Sequence, residues 1–463
     1  MKKPTIFFFS LFLLSISSQD NIKYQKPSKE ILDLVEFERP PSILYDENKN
    51  FMLFLFRHNY KSIAELSAKE LRLGGLRIDP KTNIGSRVTY YNNVKIRNLK
   101  NKKSEITQVK GLPKNPKLSN ISWSPDQKRI ALTNTTETGV ELWVLELENG
   151  SVKKLTESNL NSNIGSVINW FSDSENMLVK MISNNRRPLI DTNKIVPDGP
   201  TISTNFGEKA QNRTYQDLLK NKFDEHNFEQ LSTSTIYKVS IDGSVKKWMD
   251  DGMYRTISFS PNGEYVMISQ INKPFSYLVT YSRFPTETNI YNKDGDFVSN
   301  LQKVPLIEEL PKGFMSVRTG KRSFSWRPDK GASLTYVTAL DSGDPSKKVD
   351  FRDEVYELNY PFSGKGKFIL KTINRFSGID WGTKDMAIAY DTWWNTRNRK
   401  SYVFNPSNPN IKPKIISDRN YQDTYSDPGS FLRSRNEFNR SVLKMHYGNI
   451  FLRGQGFSPS GQF

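Results

Sequence analysis

The sequence predicts an all-β fold: a β-propeller of about seven four-stranded blades, the last of them incomplete. Two recurring phrases and a strand-loving composition predict it. The first phrase places an apolar residue, an aromatic two positions later, a polar turn and then a strand. It is clearest in ISWSPDQKRIAL from Ile121, ISFSPNGEYVMI from Ile257 and FSWRPDKGASLTYV from Phe324, and looser from Ile43, Ile168 and Ile379. The second phrase is NGSVKK from Asn149, repeated as DGSVKK from Asp242 and more loosely within TNIYNKDGDFVSNL from Thr288. The 12% aromatic content suits strands better than helices.

Each element follows from local chemistry. Alternating runs such as GVELWVLELE (from Gly139) and STIYKVSI (from Ser234) precede the second phrase. Its Asn-Gly or Asp-Gly pair suits the positive φ of a tight hairpin, so each copy joins two antiparallel strands. The first phrase joins the two strands before them. The two phrases therefore mark a four-stranded unit in fixed order, which an unrelated β-sandwich would not require. One such sheet cannot cover both its faces; packing several around an axis does so and leaves few edges. The aromatic anchors are Tyr45, Trp123, Trp170, Phe259, Trp326 and Trp381. A bare blade needs about 40–45 residues, so their longer separations imply insertions. Blades are placed near 43–110, 119–157, 166–250, 255–304, 320–373 and 376–418, with a seventh beginning near Ser430. The insertions lie at Glu65–Arg87 and from about Arg186 to Leu231, where TYQDLLKNKFDEHNFEQL reads as a short helix. Long insertions in compact folds are often functional.

The N-terminus reads differently. Lys2 and Lys3 precede an uncharged apolar run, Thr5 to Ile16, and small residues follow. This is the pattern of a signal peptide over residues 1–18, cut near Ser17–Gln19, with the propeller occupying 30–463. The chain has no cysteine, which excludes disulfides and thiolate metal sites and points to a bacterial periplasm or secretion rather than a eukaryotic export route. No second long apolar run follows, so no stable membrane insertion is expected after cleavage. The net charge of +18 admits an acidic partner, but the lysines are dispersed without a dense basic block. A solvated surface is the plainer reading, and nucleic acid is not an expected partner.

Several stretches within and beside the insertions resemble one family. They are ELRLGGLRIDP (from Glu70), RTYQDLLKNKFDE (from Arg213), NKPFSYLVTYSRFP (from Asn272), SVRTGKRSFSWRPDK (from Ser316) and DTYSDPGS (from Asp423). In this order they resemble the propeller half of the glutamyl endopeptidase branch of the prolyl oligopeptidase family of serine peptidases, over most of residues 30–435. The resemblance implies an N-terminal propeller that filters peptide substrates for a C-terminal α/β-hydrolase domain, with cleavage after acidic residues, chiefly glutamate. That domain carries its Ser in a G-x-S-x-G turn. No such run occurs here; GFSPSG (from Gly456) has the wrong spacing. Catalytic residues are therefore not assigned. The only histidines, His58, His226 and His446, read as structural or surface groups. The seventh blade starts with NRSVLKMHYGNIFLRGQ (from Asn439) and the sequence stops at Phe463. The expectation is a truncated frame without peptidase activity of its own. The alternative is a stand-alone exported propeller that scaffolds protein partners.

Candidate contacts to an acidic side chain are Arg77, Arg87, Arg283 and Arg318, which lie in or beside the family-like stretches. Guanidinium suits bidentate carboxylate binding. Neither a metal nor another cofactor is expected. The pairs Asp250–Asp251 and Glu308–Glu309 read as solvated, DGDF from Asp294 as a turn, and RLGGLR from Arg72 as lacking the context of a phosphate loop. In Trp393–Trp394 alternation turns one ring inward and the other outward.

Overall fold

The computed structural model describes residues 25–191 and 214–458, with positions 194, 196, 199, 461 and 462 besides. The leader read at 1–18 and most of the loop after Asp191 lie outside them.

The protein is a β-propeller. Six blades each present four antiparallel strands, here A to D from the axis outward. Blade 1 is Ser42–Tyr45, Phe51–Phe56, Asn93–Asn98 and Thr107–Gln108; blade 2 is Leu118–Trp123, Arg129–Thr135, Val140–Glu146 and Ser151–Lys154. Blade 3 is Ile168–Trp170, Asn176–Ile182, Ser234–Ser240 and the first half of Val245–Phe259. The second half of that strand starts blade 4, continued by Tyr265–Ile271, Thr286–Asn292 and Phe297–Val304. Blade 5 is Arg322–Trp326, Ser333–Ala339, Asp353–Asn359 and Lys367–Thr372; blade 6 is Arg375–Thr383, Met386–Trp393, Asn398–Phe404 and Lys414–Asn420. In the region of a seventh, the described residues form only short pairs, chiefly Arg433–Arg435 with Ser441–Leu443 and Ser430–Phe431 with Leu452–Arg453.

The core lies between blades. Strand alternation sends successive side chains to opposite sheet faces, so Leu178 packs toward blade 4 while Val179 packs toward blade 2. Each neighbouring pair of blades shares such a cluster. Phe51, Leu53 and Val94 meet Leu118, Ile130 and Leu145 between blades 1 and 2. Val337 and Val355 meet Trp381 and Ala389 between blades 5 and 6.

The two phrases have physical reasons. In the first, a side-chain oxygen closes the A–B turn: the Ser124 hydroxyl bonds to Asp126, and Ser260 to Asn262. The aromatic anchor then ties blades together. Trp170 Nε1 donates to Ser122 O at 3.2 Å, and Trp326 Nε1 to Ser258 O at 3.0 Å. In each case the acceptor is the residue before the preceding blade's own anchor. Replacing Trp326 by Phe keeps a benzene ring there but removes the pyrrole half with its N–H and orphans that carbonyl. The expected cost is at least about 1 kcal/mol, read from the urea midpoint. In the second phrase, Gly150 and Gly243 take φ of +64° and +102°, and the preceding Asn149 and Asp242 side chains accept from Ser151 and Ser244 N–H. The two copies even touch: Lys153 Nζ donates to Asp242 O at 2.9 Å.

Candidate functional site

In an A–B–C–D meander the A–B and C–D turns share one face. The B–C links and the passages between blades share the other. Both recurring phrases therefore lie on one face, the turn face, and the insertions lie on the opposite one, the insertion face.

Three insertions there build a module with its own core. The blade 1 insertion holds a capped turn of helix, Ile63–Leu66, and a small sheet of Leu71–Leu73, Leu76–Asp79 and Ile84–Gly85. The blade 3 insertion supplies the helix Lys222–Ser232, and blade 4 supplies residues 272–285. Leu73, Ile78, Phe228, Leu231, Phe275 and Phe284 are buried together. The helix is shorter than the sequence predicted because Asn221 caps it, accepting from Asp224 N. The RLGGLR run makes the tight turn that lets the module close. Gly75 has φ +91°, and a Cβ there would meet Thr280 at 2.8 Å.

The predicted arginines divide. Arg77 and Arg87 come together on the module, with Arg72. Arg77 Nε bonds to Asp217 at 2.5 Å, which raises its pKa. Arg87 reaches Glu70 at 3.4 Å, as does Arg72 at 2.9 Å. The Ser86 hydroxyl and then these two arginines hold Glu70 below the usual carboxylate range. Arg283 sits on the same module, its guanidinium 5.4 Å from the Tyr215 ring centre. Arg318 stands apart, before blade 5, donating to Gln302 at 2.6 Å; burial and the nearby Arg322 charge lower its pKa.

Sequence reasoning passed over a second set of cations. Arg255, Arg322 and Arg375 each stand at the insertion-face end of an A strand, around the axial mouth. Arg375 and Arg322 belong to a buried network: Asp353 meets Arg375 at 3.1 Å and Arg322 at 2.5 Å, and Asp341 meets Arg375 and Arg352 at 2.7 Å. Both carboxylates are fully buried. With Arg318 beside them, the positive groups outnumber the acids. A legible signal existed, since Arg255 and Arg322 both lie four residues before their blade's aromatic anchor.

The same face carries exposed apolar groups: Tyr60, Ile63, Leu66, Leu278, Phe314, Phe351 and Trp394. Phe314 stacks on Trp394, which Arg397 covers at 3.8 Å, whereas Trp393 lies half-buried under Arg352. The entering segment runs here too. The helix Lys29–Val35 buries no side chain, and Asn59 Nδ2 holds Phe37 O. Beside it opens a cleft of about 1380 Å³ lined by Arg39, His58, Lys61, Lys95 and Lys117 among others. His226 bonds instead to Pro188 O, and His446 packs edge-on against Tyr447. Among the described residues no helix is long and apolar enough to cross a membrane.

Fold and site together define a propeller with one plain face and one elaborated, cationic and partly apolar face. The chain is 33% identical over 457 residues to a protein of Oryza sativa named probable glutamyl endopeptidase, chloroplastic, covering 95% of this chain and 48% of the relative. A protein of the same name from Arabidopsis thaliana is 32% identical over 462 residues, 95% of this chain and 47% of that one. The chain thus spans about half the length of these curated relatives. Both relatives carry the name of the peptidase branch that the sequence motifs resemble. No family model matches the chain. Among solved structures it is similar to the acylaminoacyl peptidase of Pyrococcus horikoshii (16% identity, 83% of this chain and 47% of that one, TM-score 0.39). It is also similar to TolB from Acinetobacter baumannii (12% identity, 76% and 64%, TM-score 0.30).

Proposed function

We propose that the chain is the substrate-gating propeller of a glutamyl-endopeptidase-like serine peptidase, exported to the periplasm, and that an α/β-hydrolase domain performs the cleavage. The insertion face carries this reading. Its apolar groups suit a domain docked over the axis, and the relatives have about as much sequence again to supply one. The arginines around the mouth give acidic peptides a favourable approach, since guanidinium pairs with carboxylate in two parallel hydrogen bonds. Without a nucleophile turn the chain itself selects and orients; it does not cut.

The test uses the purified chain. Glu-containing peptides are expected to remain uncut; turnover abolished by a serine-directed inhibitor would overturn the non-catalytic reading. A fluorescent Glu-rich peptide is expected to bind in an anisotropy assay, and its Gln counterpart at least tenfold more weakly. Arg318→Ala is expected to narrow that ratio several-fold. Equal binding of the two peptides would remove the arginine mouth from the function.

A further inference from the structure

The segment Arg433–Leu443 does more than begin a blade. Its two strands, Arg433–Arg435 and Ser441–Leu443, stand beside strand A of blade 6. There Arg433 pairs with Asp380, and a Cβ on Gly382 would lie 3.4 Å from Leu443. The connecting tip, 436–440, then reaches over the axis on the turn face. Asn436 Nδ2 donates to Pro328 O of blade 5 at 2.7 Å, and Asn439 Nδ2 donates to Pro125 O of blade 2. Arg440 Nη2 lies 3.4 Å from both Phe259 O and Ser260 O of blade 4, and Arg435 pairs with Glu47 of blade 1. The tip is pre-shaped for this reach. Asn436 Oδ1 accepts from Phe438 N and Arg440 N, Arg435 donates to Asn439 O, and Asn439 takes φ +55°.

Under the tip lies a cavity of about 390 Å³. Its walls are the ends of the A strands of blades 2, 3 and 4, including Ser122, Trp170 and Ser258, and its roof is Arg435, Phe438, Asn439 and Arg440. The acceptors are backbone carbonyls of the repeated S-P-D type turns. Any ring of such turns offers them, and the hairpin spends three side chains on them, Asn436, Asn439 and Arg440, while Arg435 takes the Glu47 carboxylate. We propose that this hairpin is an axial plug. It closes the propeller's central passage on the turn face, so that the passage communicates with solvent from the insertion face alone.

The absence of native cysteine makes the test direct, because an introduced thiol is the only one. Ser122→Cys places it on the cavity wall. Fluorescein maleimide is expected to label it at least tenfold more slowly than N-ethylmaleimide, and adding Asn436→Ala with Asn439→Ala is expected to bring the two rates within about threefold. Comparable rates in the Ser122→Cys chain, or no change on loosening the tip, would overturn the plug. A second measurement leaves the cavity untouched. Glu437→Cys in the tip with Gln127→Cys beside it is expected to give an intrachain product with a short bismaleimide, seen as a gel shift. A folded double variant that fails to cross-link shows that the hairpin does not sit across the axis.

Discussion

Replacing Lys180 by Met is expected to stabilise the protein at neutral pH, an unusual outcome for removal of a charged group. Lys180 lies in strand B of blade 3, 2% exposed, with its Nζ on Ile164 O. Burial lowers its pKa from 10.5 to about 7. Between those two values the unfolded chain holds a proton that the folded chain lacks, so this lysine costs stability, and the cost grows as pH falls from about 10.5 to 7 and then levels. At pH 7 the cost is on the order of 4 kcal/mol. Methionine forfeits the bond to Ile164 O, worth about 1 kcal/mol, and fills a similar volume. The net gain at pH 7 is expected to be roughly 2–3 kcal/mol in urea titrations, shrinking to nothing or reversing near pH 10.5. A variant equally stable to the parent at both pH values would show that the ammonium is not desolvated in solution.

Asp353→Ala is expected to produce the largest loss. It removes the partner of Arg322 and one partner of Arg375, together with the acceptor of Phe376 N at 2.8 Å. Breaking one side of a buried ion pair costs about 3–5 kcal/mol, because the remaining charge is left in a poor solvent. The comparison is Glu148→Ala, whose partner Lys100 lies 3.6 Å away with both side chains largely exposed. There the change is expected to stay under about 1 kcal/mol. Equal losses at the two sites would mean that the blade 5–6 network is open to water.

Local chemistry made the blades readable. Blade 2, expected at 119–157, runs from Leu118 to Lys154, because alternation and turn residues act over a few positions. The boundary between blades 3 and 4 was less so. Asp250-Asp251-Gly252 looks like a break, yet Ser183, Thr235 and Asn185 satisfy the Asp251 carboxylate and the strand continues through it. Trp393 and Trp394 divide as alternation requires. The tip's reach could not be read at all, since Asn439 finds its acceptor at Pro125, 314 residues away. Of the site, the arginines on the insertions were visible through motif likeness. The buried Asp341, Asp353 and Arg375 were not, because nothing local distinguishes an acid in a strand from one on a surface.

The unbroken strand Val245–Phe259 has a mechanical consequence. Elsewhere among the six blades, neighbouring sheets share no strand: loops, side-chain packing and a few isolated cross-seam hydrogen bonds join them. Blades 3 and 4 are riveted by main chain, with ladder hydrogen bonds on both halves of one rod. Any breathing that widens the ring must take place at the other seams, and this pair moves as a single rigid wall. It also carries two of the three insertions, so the helix Lys222–Ser232 and residues 272–285 travel with it.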